Sequence, residues 1–235
     1  MATANRPDNR LLSALPRDAF EEIEPHLERH SLESGLVLHK PGEPIRDLYF
    51  PVGCLISVTV TMRDDRTAET GVVGRRDVVG INAFMGGSET TQTEYVVQVP
   101  GDAVRVPADP LRDAFDRNQR LRAVLLKYTQ AMIAQICQNA ACNRLHSLEQ
   151  RYARWLLETR ERIASDDLRL THGFISQMLG VRRAGVTEVT GRFQKEGMVR
   201  AERGRTYILD APRLETISCE CYEVVKEEYD RLLGA

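Results

Sequence analysis

The sequence predicts a two-domain α+β chain: an N-terminal double-stranded β-helix of the jelly-roll kind, a long helix, and a C-terminal winged helix-turn-helix. Three observations carry this. Short β-prone runs punctuated by turn residues fill the span from His30 to Pro107, Asn118 to Leu145 contains neither Gly nor Pro, and Leu168 to Arg205 reads as two short amphipathic helices followed by a basic-tipped hairpin.

In chain order, Asn9 to Leu15 leads into Pro16, a favourable first-turn residue, and Phe20, Ile23 and Leu27 mark one face of a short helix. Strands are expected at Leu36 to His39, Leu48 to Phe50, Cys54 to Met62, Thr67 to Val73, Val78-Val79, Tyr95 to Val99 and Ala103 to Val106. Within the third run, Ile56, Val58, Val60 and Met62 alternate with Ser57, Thr59 and Thr61, the period of a half-buried strand. Many short strands at even spacing favour a double-sheet jelly roll, whose interior can hold a small ligand.

Asp109-Pro110 ends the strands, and one uninterrupted helix is expected over Asn118 to Leu145. Leu121, Leu125, Tyr128, Met132 and Ile136 keep the interval of a dimer seam; the alternative is that this face packs along the chain's own jelly roll. Ser147 with Gln150 resembles a capping box, so a fresh helix begins there, and Trp155 belongs to its core face. The expected domains are a sensor over 1–110, a dimerisation helix over 111–146 and a DNA-binding domain over 147–235. The acidic tail with Cys219, Tyr222, Val225, Tyr229 and Leu232 at helical spacing packs on its own domain or a partner.

In the DNA-reading stretch, Phe174, Ile175, Met178 and Leu179 recur at helical spacing, Gly180 can adopt positive φ, and Val186, Val189 and Phe193 repeat the interval. The opposite face of the second helix carries Arg182, Arg183, Thr187, Glu188 and Gln194, groups able to bond base edges and phosphates. Arg203-Gly204-Arg205 tips the hairpin with positive charge, suited to phosphate.

Composition bounds the rest. With 235 residues, 42% hydrophobic and 28% charged, the chain can build two modest cores and is not disordered in bulk. A net charge of -2 and a pI near 6.2 exclude a protein that coats nucleic acid indiscriminately, so DNA binding must come from a local patch doubled by dimerisation. No apolar run reaches a membrane span and Met1 to Asn9 has no signal-peptide core, so a cytoplasmic location without membrane contact is expected.

Taken in order, these pieces resemble the Crp/Fnr family of bacterial transcriptional regulators across nearly the whole chain. The resemblance rests on Pro41-Gly42-Glu43, Leu48-Tyr49-Phe50, Gly53, Gly74 and Asp77-Val78-Val79-Gly80 in the first half. In the second it rests on Leu170-Thr171, Ile175-Ser176-Gln177, Leu179-Gly180-Val181, Arg183, Val186, Arg192 and Gly197. It implies a homodimer on a palindromic double-stranded operator near a promoter, in contact with RNA polymerase, and controlled by a small-molecule effector whose identity the sequence leaves open. Arg183 matches the family's guanine-reading arginine, and Thr171 its phosphate contact at the start of the first helix. The DNA-binding set is therefore Thr171, Ser176, Gln177, Arg182, Arg183, Thr187, Glu188, Arg192, Arg203 and Arg205. Ala184 and Glu188 depart from the family's usual glutamate and arginine, which implies a different operator, and Arg182 replaces a capping serine.

The sensor departs further. Ile81 stands where cyclic-AMP-binding relatives place the ribose glutamate, and Thr90 to Thr93 lacks the phosphate arginine, so cyclic AMP is not expected to bind. Gly80, Ile81, Asn82, Met85, Thr91 and Thr93 are the expected lining of a pocket for another effector.

No cofactor, metal or catalytic group is expected. The family's iron-sulfur sensors use clustered N-terminal cysteines, and none precedes Cys54. Cys137 and Cys142 diverge around a helix, as Cys219 and Cys221 would if helical, so neither pair chelates from one face; a redox pair at 219 and 221 remains open if that segment is a loop. His26, His30, His39, His146 and His172 contain no His-x-His pair of the kind a cupin metal enzyme uses. The alternatives to a regulator are a small-molecule or redox-sensing protein of the same fold that has lost DNA contact, and, further off, that cupin metalloprotein.

Overall fold

Period-two alternation becomes two facing antiparallel sheets. The computed structural model describes residues 6–85 and 90–234; the first five residues of the polar Met1 to Asn9 stretch and residues 86–89 of the expected sensor lie outside them. One sheet has the order β1 (Glu28–Leu32), β7 (Gly101–Pro107), β3 (Asp47–Pro51). The other has the order β2 (Val37–His39), β6 (Glu94–Val99), β4 (Leu55–Thr61), β5 (Thr67–Val73). Leu32 and Ala103 of the first sheet share an apolar core with Ile56, Val58, Val73, Tyr95 and Val97 of the second. The jelly roll read from the sequence is present, with one exception. Val78-Val79 is not a strand but a single bridge from Val79 to Tyr49, after which Gly80 turns the chain at φ 91°. A Cβ at Gly80 would come within 3.2 Å of Asp47 O and the Leu48 side chain, so bare backbone is required there.

Helices α1 (Arg10–Ala14) and α2 (Arg17–Ile23) close one end of the roll. Asn9 ties them down: its side chain caps Leu12 N-H and donates to Pro51 O at 2.8 Å and Asp77 O at 3.0 Å.

The uninterrupted helix expected over Asn118 to Leu145 is present, and a separate short helix precedes it. α3 (Ala108–Arg117) and α4 (Gln119–Leu145) are separated by Asn118, whose carboxamide oxygen accepts from Arg120 and Leu121 N-H and restarts the helix. α4 alone runs 27 residues, about 40 Å.

The seam assigned to α4 is corrected by the packing. Leu121, Leu125 and Tyr128 are at most 1% exposed and lie in the chain's own sensor core, with Tyr128 Oη donating to Val78 O at 3.0 Å. Met132 is half-buried, and of the five only Ile136 reaches the surface. α4 carries apolar residues on more than one face, so periodicity alone does not show which face meets the sensor. The stripe left exposed is Ala123, Leu126, Ile133, Cys137 and Ala140, one position off the predicted seam.

α5 (Leu148–Ile163) starts with the expected capping box of Ser147 and Gln150. Then follow β8 (Asp167–Leu168), α6 (His172–Met178), α7 (Arg183–Lys195), β9 (Val199–Glu202), β10 (Arg205–Ile208), α8 (Ala211–Ile217) and α9 (Cys221–Leu233). The hairpin gains β8 as a third strand, in the order β8-β10-β9. The acidic tail is divided: Tyr222 stays in the core of the domain that precedes it, with its hydroxyl donating to Glu161 at 2.5 Å. Val225, Tyr229 and Leu232 of α9 join the core formed by α4 and the sensor.

A buried charged network joins sensor to reader. Arg162 on α5 is fully buried, 3.5 Å from Asp77 of the sensor and 3.5 Å from Glu158, and donates to Gln135 of α4 at 2.9 Å. Arg154 pairs with Glu158 at 2.8 Å. Burial pushes the Glu158 carboxyl up, but Arg154, Arg162 and Arg76 outweigh it and hold the group below its ordinary value. At Gly74 the backbone passes so close to α5 that a Cβ would sit 2.3 Å from the Arg162 Cβ. Nearby, Trp155 is core, as expected, and donates to Glu69 at 3.0 Å; burial raises that carboxyl to about 7.

Candidate nucleic-acid interface

The helix pair is set by a shared apolar wedge. Ile175, Met178 and Leu179 of the first helix meet Val186, Val189 and Phe193 of the second, and Phe193 stacks on Tyr152 of α5 at 5.7 Å. Thr171 caps α6 through Phe174 N-H. Gly180, at φ 64°, makes the turn. Arg182 occupies the N-cap position of α7 without a side-chain cap bond, as its replacement of serine implied.

With one face of α7 sunk in that wedge, Arg183 and Thr187 point outward and Gln194 follows further along the exposed side. Across from them the hairpin turns through Arg203 at φ 41° and Gly204 at φ 80°, which brings the wing tip to face the helix. Between the two lies a cleft of about 330 Å³ lined by Thr171, His172, Arg183, Gln194, Arg203 and Arg205. Among the described residues, neither Arg183 nor Arg203 is paired with a carboxylate, so both guanidinium groups are available to an anion.

The cleft brings together much of the predicted set and removes part of it. Thr171, Arg183, Arg203 and Arg205 line it and Thr187 is bonded to His172 of its wall, whereas Gln177 and Arg182 are exposed without lining it. Ser176 is only 8% exposed and its hydroxyl donates to Gly173 O, so it belongs to packing. Arg192 is held by Glu188 at 2.8 Å and Glu149 at 3.3 Å, which neutralises both members of the predicted pair at the far end of α7. Arg205 lines the cleft but is shared with Asp167 at 3.4 Å and Tyr207 Oη at 3.3 Å.

His172 was not foreseen as a site residue, whereas Gln194 had been read on the outward face of the second helix and does line the cleft. His172 Nδ1 lies 3.1 Å from Thr187 Oγ1, and burial, then the Arg183 cation, lowers its pKa, so the ring is neutral at pH 7. The signal that could have found it was its place directly after the Thr171 cap, where a side chain on the first turn of α6 leans over α7.

The sensor cavity lies elsewhere. About 470 Å³ opens between the β roll and α4, lined by the predicted Ile81, Asn82, Met85, Thr91 and Thr93. The β roll adds Val58, Thr70, Thr90, Gln92 and Tyr95, and α4 adds Thr129, Met132, Ile133 and Ile136. Gly80, also expected in the lining, is not among the residues that line it. No arginine or lysine is among the described lining residues.

Comparison with known proteins follows the same division. The cyclic nucleotide-binding domain family matches residues 29–118, and the Crp-like helix-turn-helix domain family matches residues 150–217. The chain is 26% identical over 191 residues to the fumarate and nitrate reduction regulatory protein of Escherichia coli, covering 77% of this chain and 74% of that one. In three dimensions it resembles a Crp/Fnr-family transcriptional regulator of Thermus thermophilus, with TM-score 0.65, 21% identity and coverage of 81% of this chain and 98% of that one. It also resembles the c-di-GMP responsive global regulator CLP of Xanthomonas campestris, with TM-score 0.65, 16% identity and coverage of 82% and 99%. Among the described residues, no helix is long and apolar enough to cross a membrane.

Proposed function

The chain belongs to the Crp/Fnr family of DNA-binding transcriptional regulators, and on that premise we propose that it is a cytoplasmic homodimer. In this reading it recognises a palindromic operator through the N-terminal half of α7 and meets RNA polymerase at the promoters it occupies. The observation that carries it is the unpaired Arg183 at the first turn of α7, aimed into a cleft whose other wall is the basic wing tip. A guanidinium so placed can fork onto guanine O6 and N7, while Arg203 takes a phosphate. His172 orders Thr187 between them.

The two contacts separate in their salt and sequence dependence. Arg203→Ala is expected to weaken binding to operator and random duplex alike, and to reduce the salt slope by about one per subunit. Fluorescence anisotropy on both duplexes over a salt series checks this; a loss confined to the operator would move Arg203 into base reading.

Dimerisation is assigned to the exposed Ala123, Leu126, Ile133, Cys137 and Ala140 stripe of α4, since the residues first read as a seam are used up inside the subunit. Ile133→Glu, with a side chain 54% exposed, is expected to leave the fold intact and give monomers in light scattering. A dimer of undiminished strength would place the interface elsewhere.

The sensor cavity favours a ligand with apolar surface and hydroxyl-bonding groups over a cyclic nucleotide, because no cation in its described wall can offset a buried phosphate. Isothermal titration with cyclic AMP is expected to show no saturable heat at micromolar concentrations, and a micromolar fit would reverse this assignment.

A further inference from the structure

One cluster lies outside both the DNA cleft and the sensor cavity. The last turn of α4 runs from Cys142 to Leu145 with His146 at its C-cap, and Cys219 and Glu220 lead from α8 into α9, whose first residue is Cys221. The fold brings these segments together although 73 positions separate His146 from Cys219. Cys142 Sγ and Cys219 Sγ are 3.5 Å apart, Cys221 Sγ and His146 Nδ1 are 3.5 Å apart, and all four donor atoms fall within 4.8 Å of one another. The three cysteines are at most 2% exposed and form a small core of their own.

From this convergence we propose that Cys142, His146, Cys219 and Cys221 form a closed tetrahedral site for one zinc ion. Bonds of about 2.3 Å to sulfur and 2.0 Å to nitrogen, at tetrahedral angles, place neighbouring donors about 3.5 to 3.8 Å apart. The Cys142–Cys219 and Cys221–His146 pairs are already at 3.5 Å, and all four donors lie within 4.8 Å of one another, so the cluster needs only a small contraction around an ion. Four protein donors leave no position for water, the arrangement of a structural site. The outer shell fits as well. Glu220 lies 3.2 Å from His146 Nε2, the carboxylate–histidine pairing that fixes the tautomer with Nδ1 toward a metal. Gln138 donates to Cys221 Sγ at 3.1 Å, and the guanidinium groups of Arg151 and Arg154 act on the cluster from the α5 side, offsetting the charge of three thiolates.

This replaces the expectation that no metal is held. Neither cysteine pair chelates from one helix face, as the sequence indicated: Cys137 takes no part, Cys142 with His146 supplies one half of the site, and Cys219 with Cys221 supplies the other. Its place has a mechanical meaning: the ion fastens the start of α9 to the point where α4 hands over to the DNA-reading domain.

Full-length protein purified under reductant without chelator is expected to contain one zinc per chain, released by a mercurial titrant of thiols. Cobalt added to metal-stripped protein is expected to give the intense visible bands of tetrahedral cobalt with thiolate ligands. Cys142→Ser and Cys219→Ser should each lose the metal, while Cys54→Ala, in the β-roll core outside both the cluster and the α4 stripe, should retain it. Hydrogen exchange of residues 219–233 should quicken when zinc is removed. The proposal is overturned if stripped wild-type protein binds neither zinc nor cobalt, or if folded Cys142→Ser and Cys219→Ser keep a full equivalent. It is also overturned if anaerobically isolated protein carries a Cys142–Cys219 disulfide in place of metal.

Discussion

Replacing Arg183 by alanine is expected to abolish sequence-specific DNA binding while leaving the fold unchanged. The side chain is exposed, lines the cleft and has no carboxylate partner among the described residues, so its removal strands no buried group. A bidentate guanine contact is worth about 1–3 kcal/mol of discrimination. In a homodimer the loss is felt at both half-sites, roughly 2–6 kcal/mol, or about 30-fold to 10⁴-fold in operator affinity. Residual binding should match that to random duplex. Operator selection from a random library followed by anisotropy with wild type and variant reads this directly. Equal operator affinities for the two proteins would remove Arg183 from recognition and leave α7 without its principal base reader.

Arg162→Ala is expected to be the most damaging single change to stability. The guanidinium is fully buried and balances Asp77 and Glu158 across the contact between sensor and reader. Arg154 still covers Glu158 after the substitution, but Asp77 loses its one ion-pair partner among the described residues and keeps only neutral groups, the Gly74 N-H at 2.8 Å and the neighbouring Tyr229 hydroxyl. Removing one partner of a buried pair costs about 3–5 kcal/mol. At this chain length that lowers Tm by roughly 6–20 °C. Scanning calorimetry checks it, with Arg17→Ala as the contrast, because the Arg17–Glu21 pair is solvent-exposed and should leave the melting curve unmoved. Similar curves for the two variants would mean that Asp77 and Glu158 find other partners.

Local signals carried much of the architecture. The jelly roll followed from many short strands punctuated by turn residues, and the DNA-binding unit from Gly180, the Ser147 capping box and the basic hairpin tip, because each feature is encoded within a few residues. Alternation in β4 placed the strand but not its burial, since Ser57 and Thr59 on its polar side are buried as well. What local pattern could not convey was partner choice. Leu121, Leu125 and Tyr128 have the spacing of a seam whichever surface covers them, and only the folded chain shows that its own sensor does. Arg192 and Glu188 read as DNA contacts until Glu149 on α5 arrives beside them. The cysteine and histidine cluster was hidden for the same reason, since its halves lie far apart in sequence and neither half is a motif alone.

Gln135 sits on α4 where the helix is gripped from several sides. Its amide accepts from Arg162 at 2.9 Å and from Tyr229 Oη at 3.0 Å, and donates to Val72 O at 3.4 Å. Thr129, Met132, Ile133 and Ile136 of the same helix wall the sensor cavity. An occupant of that cavity that turns α4 about its axis must therefore do work against three interior bonds at once, one of which reaches the helix that carries the DNA reader. Occupants that leave the helix where it is transmit nothing by this route, however tightly they are held. For any occupant, the quantity that would count along this route is the torque it puts on one amide, not its affinity alone.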